Sequence, residues 1–395
     1  MSSSDFTKER ILLKKGFSKK RFSKKNFQKR ILPRKDFNMK KFLKILLLII
    51  ALILVIVLGY VAYVFLDYER IDDNVSIEPT GQYKHETLNT SKTHSIMSYN
   101  IGYGAYSSDY TFFMDGGIES KGGSADEVMG NVVGAIEVVK DANPDIVFFQ
   151  EVDIKADRSY DIDQSEVINQ NFPDYQMMEA VNYNSSYLFY PVTDPIGASL
   201  SEVATLSKYK MNDGIRRSLP ISTGFSKFFD LDRCYTVQTV ELDNGKKLFL
   251  YNVHLSAYGA DASVRDGQMQ MLFDDMKSNY TDGNYVIVGG DFNHDFTGTS
   301  GNDFNEGKDV NFEWAQPFPE EFLGEQFTRA TNYDSNNNLP TGRVNDIPYD
   351  PTKSTVLILD GFIVSDNIDI IKVGTVDTQF EYSDHMPVHM EFKFK

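Results

Sequence analysis

Most of the chain after residue 90 consists of short apolar runs separated by polar loops, a pattern that predicts β-strands. Residues 95–101 and 386–394 alternate between apolar and polar positions, and residues 145–150 and 285–288 are almost uniformly apolar. Alternation is typical of a half-buried strand, and a short continuous apolar run is typical of a fully buried one. Residues 234–242 and 248–255 form two further runs around Asp-Asn-Gly-Lys-Lys, which predicts a β-hairpin.

Two segments instead have helical spacing. Ser124 followed three residues later by Glu127 is a capping box, and the apolar residues from 128 to 139 recur at helical intervals until Asn143-Pro144. Residues 263–280 place four large apolar side chains on one face. Because helices and strands are interleaved while hairpins are frequent, the pattern predicts an α/β (α+β) fold with mixed or antiparallel sheets rather than a doubly wound parallel sheet.

The stretch 45–66 is different, because it contains no charged residue and is bounded by Lys44 and Asp67. At about 1.5 Å per residue it is long enough to cross a hydrocarbon core of about 30 Å. A buried core helix and a cleaved signal peptide are the alternatives. A core helix rarely runs this far without a polar face, and a signal peptide usually has a shorter apolar region and a clear cleavage site. We therefore predict a single transmembrane helix.

Charge divides the chain at this stretch. Residues 1–44 contain sixteen Lys or Arg and three acids, a net charge of +13; because the full chain carries −16, the remainder carries −29. The positive-inside bias predicts a cytoplasmic N-terminus and an extracellular C-terminal domain on a single-pass protein of the cell membrane. The tail has phenylalanines at five-residue intervals, which is neither a helix nor a strand period, so it is predicted to be disordered and to lie against anionic lipid headgroups. Nucleic-acid binding by the tail, or a topology signal alone, would also explain it.

The remaining sequence divides into a linker and one large domain. Residues 67–90 are polar, include Pro79-Thr80-Gly81, and are predicted to be a stalk. Residues 91–395 make a unit of about 300 residues, large enough to bury roughly three quarters of its unfolded surface. Cys234 is the only cysteine, so the domain has no intramolecular disulfide and depends on its core.

Polar residues recur where the predicted strands end, and a sheet can gather such ends into one cleft. Asp360 lies between two apolar runs in the same way. The other clusters are Tyr99-Asn100, Gln150-Glu151, Asn252-Val253-His254, Asp291-Phe292-Asn293 and Ser383-Asp384-His385.

Together these residue types favour metal-assisted chemistry on phosphate. The carboxylates of Glu151, Asp291 and Asp384 with the amide oxygens of Asn100 and Asn293 make a hard, oxygen-rich set that suits Mg²⁺, Mn²⁺ or Ca²⁺. The two histidines, at 254 and 385, are then available as hydrogen-bond donors or bases. A divalent ion on a phosphate oxygen and a base for water are the minimum requirement for phosphodiester hydrolysis.

Each residue alone also has a purely structural explanation. Glu151 would cap a strand end, His254 would be a hydrogen-bonded core histidine, and Asp360 and Asp384 would be turn residues.

The order of the motifs is what resembles a known family. Six segments resemble the endonuclease/exonuclease/phosphatase superfamily, which includes deoxyribonucleases, inositol polyphosphate phosphatases and neutral sphingomyelinases. They are Met-Ser-Tyr-Asn-Ile at 97–101, Phe-Gln-Glu at 149–151, Asn-Val-His-Leu at 252–255, Gly-Asp-Phe-Asn at 290–293, Leu-Asp-Gly-Phe at 359–362 and Ser-Asp-His-Met-Pro at 383–387. The resemblance runs from about residue 95 to the C-terminus, and it implies a four-layer sandwich of two mixed β-sheets flanked by helices.

The resemblance also implies a role for each residue. Glu151 would be the main Mg²⁺ ligand, with Asn100 in support and Asp384 beside the metal. Asp291 and Asn293 would orient the attacking water and the phosphate, and His254 would donate to a phosphate oxygen. Asp360 would fix the tautomer of His385, which acts as general base or transition-state donor.

The sequence indicates the substrate less directly than it indicates the site residues. Arg158 and Arg233 would either grip a second phosphate or pair with surface acids, and the segment 102–123 is long enough to roof the cleft. A domain of −29 without a basic stripe disfavours nucleic acid. The leading hypothesis is therefore a membrane-anchored, Mg²⁺-dependent phosphodiesterase or phosphatase acting on a small or lipid-linked phosphoester. An extracellular nuclease and a non-catalytic binding protein that keeps the fold are the alternatives.

Overall fold

The computed structural model describes residues 38–224, 227–228, 232–257, 262–308, 310–331 and 339–395. The chain divides into two compact units, which meet in the sequence between Tyr60 and Val61. The predicted disordered tail lies, up to residue 37, outside the described residues.

The first helix, α1, spans Met39–Asp67 and contains the predicted membrane span. By length and composition it could cross a membrane. It begins six residues earlier than the predicted span, so residues 39–44, assigned to the tail from the sequence, are helical. The three lysines among them do not interrupt the helix because lysine has a high helix propensity.

The remaining elements alternate between strands and short helices. The other helices are α2 (Ala125–Ala142), α3 (Gln164–Asn171), α4 (Ala262–Asn279) and α5 (Ser300–Asn305). The strands are β1 (Val75–Ile77), β2 (Thr80–Gly81), β3 (Thr93–Asn100), β4 (Ile146–Ala156), β5 (Gln176–Leu188), β6 (Gly197–Ser207), β7 (Gly214–Ser218), β8 (Cys234–Glu241), β9 (Lys247–His254), β10 (Tyr285–Asp291), β11 (Phe327–Arg329), β12 (Gly342–Arg343), β13 (Val356–Leu357), β14 (Asp360–Ser365), β15 (Ile368–Thr375) and β16 (Val388–Phe394).

Two seven-stranded sheets make up the domain. The first has the order β1-β7-β8-β9-β10-β14-β11 and the second the order β15-β16-β3-β4-β6-β5-β2, while β12 and β13 form a separate pair. Both sheets are mixed: β9 and β10 are parallel in the first, β3 and β4 are parallel in the second, and the other neighbours are antiparallel. The predicted fold class, two mixed sheets flanked by helices, is confirmed.

Three apolar clusters hold the four layers together. The central cluster contains Ile96 and Phe148 from the second sheet and Leu250 and Ile287 from the first, so the two sheets pack face to face. One outer cluster joins the first sheet to α4, and the other joins the second sheet to α2 and α3. Each sheet is therefore buried on both faces.

The helix ends and the hairpin predicted from the sequence are present in the structure. The hydroxyl of Ser124 accepts a hydrogen bond from the backbone N–H of Glu127 at the start of α2, and Asn143 ends that helix in the left-handed conformation. The predicted hairpin is β8 and β9, paired from Tyr235 and Val253 to Glu241 and Lys247.

The prediction of a stalk over residues 67–90 is wrong for the residues that form β1 and β2. Val75 pairs with Arg216 in the first sheet, and Thr80 pairs with Met177 in the second. Both are very short edge strands without a continuous apolar face, so their sequence is polar although their backbones complete the sheets. The folded domain thus begins well before residue 91.

Two acids on neighbouring strands make the folding stability of the domain depend on pH. Glu179 on β5 and Glu202 on β6 are both partly buried, and burial together with the Glu179 charge raises the pKa of Glu202 to about 8. The folded state therefore holds this carboxyl protonated at pH values where the unfolded chain would ionise it. Its stabilising contribution is complete below the ordinary glutamate pKa and is lost as the pH rises through about 8.

We predict that Glu202→Gln will stabilise the domain at pH 8 to 9. The expected gain is on the order of 1 kcal/mol, or a few degrees in unfolding midpoint, because the variant carries no charge to bury. The gain should shrink toward zero near pH 4, where the wild-type carboxyl is protonated in both states. Thermal unfolding across this pH range measures it, with exposed Glu325→Gln as the control; a gain independent of pH would contradict the explanation.

Candidate active site

The parallel strand pairs bring the predicted polar clusters to one edge of the sandwich. Asn100 ends β3 opposite Gln150 of β4 in the second sheet. In the first sheet, Asp291 ends β10 between His254 of β9 and Asp360 of β14. Because the sheets pack face to face, these residues lie at one cleft.

A β-bulge within β4, rather than the end of the strand, sets the direction of the Glu151 side chain. β4 continues past this residue to Ala156, and its register with β6 shifts between Phe149 and Val152. Glu151 has a φ of 55°, in the left-handed region. Bulges of this kind redirect a side chain within a strand. The sequence therefore identified the residue but placed the end of the strand too early.

The glycine before Asp291 has an equally specific role. Gly290 has a φ of 142°, and a Cβ at this position would collide with the carbonyl oxygen of Val253 on the neighbouring strand. Only glycine fits so close to β9. The resulting approach of the two parallel strands sets the separation of Asp291 and His254.

Two carboxylates, one buried (Asp291) and one partly exposed (Glu151), converge on a single amide group. The Nδ2 atom of Asn100 donates to Glu151 Oε1 and to Asp291 Oδ2, each at 3.1 Å. The Oδ1 atom of Asn100 accepts from the backbone N–H of Gly102 at 3.0 Å, which fixes the amide nitrogen toward the acids. Asn100 thus supports the carboxylates as a donor.

Asn293 holds Asp291 from the other side. The backbone N–H of Asn293 donates to Asp291 Oδ1 at 2.9 Å, and its side-chain Nδ2 donates to Leu255 O at 2.9 Å and to Asp291 Oδ2 at 3.3 Å. Asp291 is therefore fixed by the amides that flank it.

His385 and Asp360 form a buried pair. His385 Nδ1 lies 2.7 Å from Asp360 Oδ2, and His385 Nε2 lies 3.7 Å from Asp291 Oδ2. Burial lowers the pKa of His385, but the carboxylates of Asp360 and Asp291 outweigh it and hold that pKa well above its ordinary value. The predicted pairing of Asp360 with His385 is present.

The second histidine has opposite electrostatics. His254 Nε2 lies 3.8 Å from Glu151 Oε1 and 3.6 Å from Asp291 Oδ2, and its Nδ1 lies 3.4 Å from Asn182 Nδ2. Burial, then the Arg233 charge, lowers the pKa of His254 well below its ordinary value. His254 is therefore neutral, with Nδ1 facing an amide donor and Nε2 facing the acids.

The acids themselves are destabilised as anions. Burial raises the pKa of Asp291 to about 7 against the opposing charge of His385, and burial with the Asp384 charge raises the pKa of Glu151. Among the described residues, no Lys or Arg forms an ion pair with Glu151 or Asp291. Carboxylates held close enough that the charge of one raises the pKa of another are typical of a cation site.

The oxygen-rich group around Glu151 fits a divalent ion better than the alternative cluster. Asp291, Asp360 and His385 also place one ligand atom each within 4.8 Å of one another. In that cluster, however, the short hydrogen bond between His385 and Asp360 occupies the facing atoms. Asp384, whose Oδ2 accepts from Asn345 Nδ2 at 2.6 Å, contributes a further carboxylate to the Glu151 group.

The cleft has a volume of about 680 Å³ and is lined by both predicted arginines. Arg158 makes a bidentate ion pair with buried Asp153, at 2.9 and 3.0 Å, and lies over the ring of Tyr103. Its charge is thus offset by an acid. Aromatic and apolar side chains form much of the remaining wall, namely Tyr103, Tyr106, Phe112, Phe113, Met114, Tyr183, Leu188, Tyr190, Ile196, Trp314 and Leu359.

The sequence did not reveal two amides of the site. Asn182 lies in the middle of β5, and Asn345 follows the short strand β12. Neither stands at the end of a recognisable apolar run, so no local pattern separates them from ordinary polar residues.

This geometry defines the class: two mixed sheets with acids, amides and a histidine–aspartate pair gathered at one edge, as the sequence resemblance implies. The profile of the Endonuclease/Exonuclease/phosphatase family matches residues 97–385. The chain belongs to this family, whose members are phosphodiesterases, phosphatases and nucleases and are generally dependent on a divalent metal.

Among solved structures, the first of the following three agrees with this chain at the level of the fold. An endonuclease/exonuclease/phosphatase from Beutenbergia cavernae has a TM-score of 0.52 and 16% identity, over 77% of this chain and 72% of that chain. A family protein from Leptotrichia buccalis has a TM-score of 0.48 and 14% identity, covering 76% and 100%. TDP2 of D. rerio, complexed with single strand DNA product, has a TM-score of 0.47 and 14% identity, covering 76% and 99%. A search of curated protein sequences gives no match.

We predict that Glu151→Gln will separate metal binding from folding. Without metal the variant should be at least as stable as the wild type, because it removes a buried charge that faces Asp384. Millimolar Mg²⁺ should raise the wild-type unfolding midpoint by a few degrees and leave the variant nearly unchanged, since an ion that binds only the folded state stabilises it. Thermal unfolding with and without Mg²⁺ measures both effects, and exposed Glu325→Gln is the control. An equal Mg²⁺ response in wild type and variant would remove Glu151 from the metal site.

Proposed function

We propose that this protein is a divalent-metal-dependent phosphoester hydrolase, a phosphodiesterase or phosphatase, whose catalytic domain lies at the outer face of the cell membrane. The observation that carries the proposal is the convergence of His385, Asp360 and Asp291 beside the Glu151 carboxylate in one cleft. Family membership supports phosphoester chemistry, and helix α1 supports attachment to a membrane.

Glu151, supported by Asn100, would hold the ion with Asp384 beside it. Bound Mg²⁺ would supply positive charge to a phosphate oxygen. The donor set consists of oxygen atoms, which suits Mg²⁺, and Mn²⁺ or Ca²⁺ would fit the same set.

The side chains around Asp291 would handle the attacking water. Asp291, fixed by Asn293, orients the water and accepts its proton as the water oxygen bonds to phosphorus. The ester bond to the alcohol breaks in the same displacement, and the leaving alkoxide takes a proton from solvent. His385, held by Asp360 with Nε2 toward the cleft, donates to a phosphate oxygen as negative charge develops there. His254 donates from Nε2 to a second phosphate oxygen.

The character of the cleft supports a small or lipid-linked substrate. Its wall beyond the acids is largely aromatic and apolar, and Arg158 is paired with Asp153. The portion of the chain after residue 44 carries −29, which repels long polyanions. Arg233 lines the same cleft and would contact a phosphate of the substrate, whereas Arg158 is already paired with Asp153.

We predict that Asp360→Asn lowers kcat by about 10² to 10⁴, because the amide no longer stabilises the His385 imidazolium. The full-length protein, assayed with Mg²⁺ against bis-p-nitrophenyl phosphate, sphingomyelin vesicles and plasmid DNA, gives the measurement. Asp366→Asn is the matched control, since Asp366 directly follows the opposite end of the same strand, β14.

Several results of that assay would contradict the proposal. Rapid plasmid nicking without hydrolysis of the other esters would make the protein an extracellular nuclease. Full activity in Asp360→Asn would remove the His385 pair from the chemistry. Absence of hydrolysis with every ester and metal would favour a non-catalytic binding protein.

We also predict the topology. The basic tail should remain in the cytoplasm, so protease added to intact cells should remove the folded domain while the tail stays protected. Epitope tags at the two ends of the chain, detected before and after treatment, report each side. A protected C-terminal tag on intact cells, which becomes cleavable after permeabilisation, would place the domain in the cytoplasm.

A further inference from the structure

Two loops at the mouth of the cleft expose large apolar side chains to solvent. One covers residues 112–121, where Met114 is 48% and Ile118 is 84% exposed. The other, 189–196, joins β5 to β6, and there Phe189, Tyr190 and Val192 are 56%, 66% and 83% exposed. We call these five side chains the apolar rim. Met114 and Tyr190 also line the cleft, so the rim is continuous with its wall.

The acids of the same loops are bonded within the protein. Asp115 Oδ2 accepts from the backbone N–H of Asn345 at 3.1 Å, and Glu119 accepts from Thr111. Asp194 pairs with Lys121 at 3.5 Å. Glu119 and Asp194 are themselves exposed, so the loops carry large apolar side chains in solvent beside acids that are already engaged within the protein.

The rim rests on a buried aromatic cluster. Tyr103, Tyr106, Tyr110 and Phe112 pack together beneath the loops, with Phe113 and Ile196 against them. The two loops also contact each other, because the rings of Phe113 and Tyr190 lie 5.4 Å apart and the Ser120 hydroxyl donates to Asp194 O at 2.7 Å. The buried aromatic cluster thus supports the two loops that carry the exposed side chains.

The end of the apolar helix lies beside the rim. In the compact unit Val61–Lys395, the Tyr63 hydroxyl accepts from the backbone N–H of Tyr187 at 3.2 Å, and the rings of Tyr187 and Phe189 lie 4.8 Å apart. Arg70, three residues after the helix ends, donates to Leu219 O. The last residues of the helix, from Tyr63 onward, therefore contact the folded domain directly.

We propose that the apolar rim is a docking surface for the outer surface of a lipid bilayer, into which its five side chains insert at the boundary between headgroups and acyl chains. The occupant is lipid because the helix whose last turn contacts the domain beside the rim is long and apolar enough to cross a membrane, and tyrosine side chains are typical of the membrane boundary. The strongly acidic domain points to zwitterionic lipid and to docking that salt does not weaken.

Docking gives the substrate class a physical basis. With the rim in the interface, the mouth of the cleft opens at headgroup level, so a phosphoester carried by a lipid reaches the acids without leaving the membrane. This statement about substrate rests on the proposed hydrolase activity, whereas the docking itself does not.

Depth-dependent quenching tests the docking independently of activity. Cys234 is buried and burial raises the pKa of its thiol to about 11, so a cysteine introduced at the surface reacts selectively. The full-length Val192→Cys protein carries an environment-sensitive fluorophore and is reconstituted into phosphatidylcholine vesicles with nitroxide-labelled lipid. The matched control is Ile371→Cys, an exposed apolar position, 54% exposed, on β15 at the far edge of the second sheet.

We expect several-fold stronger quenching at position 192 than at position 371, unchanged at high salt. Equal, weak quenching at both positions would overturn the proposal. So would quenching at position 192 that disappears when vesicles carry few protein copies, because that dependence marks contact between two copies.

A charge variant tests the consequence for substrate. Val192 and Ile118 do not line the cleft, so Ile118→Asp with Val192→Asp should lower hydrolysis of a phosphodiester lipid in vesicles at least tenfold and leave soluble bis-p-nitrophenyl phosphate unaffected. Equal rates on vesicles for wild type and variant would overturn the link between docking and substrate. Strong quenching at position 192 without hydrolysis of any ester would refute the proposed function and retain the docking surface.

Discussion

One buried side chain, Asn252, joins the two sheets beneath the candidate active site. It belongs to the first sheet, yet its Nδ2 donates to the backbone carbonyls of Phe149 and Ala204 in the second sheet, at 3.2 and 3.0 Å. Its Oδ1 accepts from Gln150 Nε2 at 2.7 Å. Phe149 and Ala204 are the last regular pair before the bulge that turns Glu151. This buried amide fixes both the position of one sheet relative to the other and the shape of the bulge. Leaving its N–H or its carbonyl oxygen unpaired would cost about 1–3 kcal/mol.

The acids depend on this arrangement because they are held where anions are unfavourable. Burial raises the pKa of Glu151 and of Asp291. The charge of Arg158 opposes this at Glu151 and the charge of His385 opposes it at Asp291, followed in each case by an oriented amide, Asn100 or Asn293. Amide dipoles fixed by other hydrogen bonds stabilise charge without reorganising. The site therefore keeps two carboxylates close together on oriented amides, an arrangement that a bound cation would stabilise further.

The sequence predicted those features that depend on local pattern. Strands with a continuous apolar run, the capping box at Ser124 and the hairpin of β8 and β9 could all be recognised, because one face of each element is buried. The ordered motifs predicted the fold class. The sequence could not show β1, because a short polar edge strand is defined by the backbone of β7 and not by its own side chains. Nor could it show the bulge at Glu151, which arises from pairing with β6, or Asn182, whose role depends on its place beside His254.

The wall of the cleft has two parts. One part is polar and forms the candidate active site, and the other is apolar and continues into the apolar rim. Wherever the wall comes from the strand ends, it is polar, because parallel pairs of strands deliver Asn100, Asp291 and His254 to the same edge. Where it comes from the loops 112–121 and 189–196, it is mostly aromatic or apolar, because those loops rest on a tyrosine and phenylalanine cluster. An ester with a charged phosphate and an apolar substituent would have both ends complemented in such a cleft. A polyanion would meet carboxylates and apolar rings along its length, and the cost of desolvating each phosphate would not be offset. The proposal of an amphipathic phosphoester substrate rests on this division of the wall, as the proposal against nucleic acid rests on the charge of the domain.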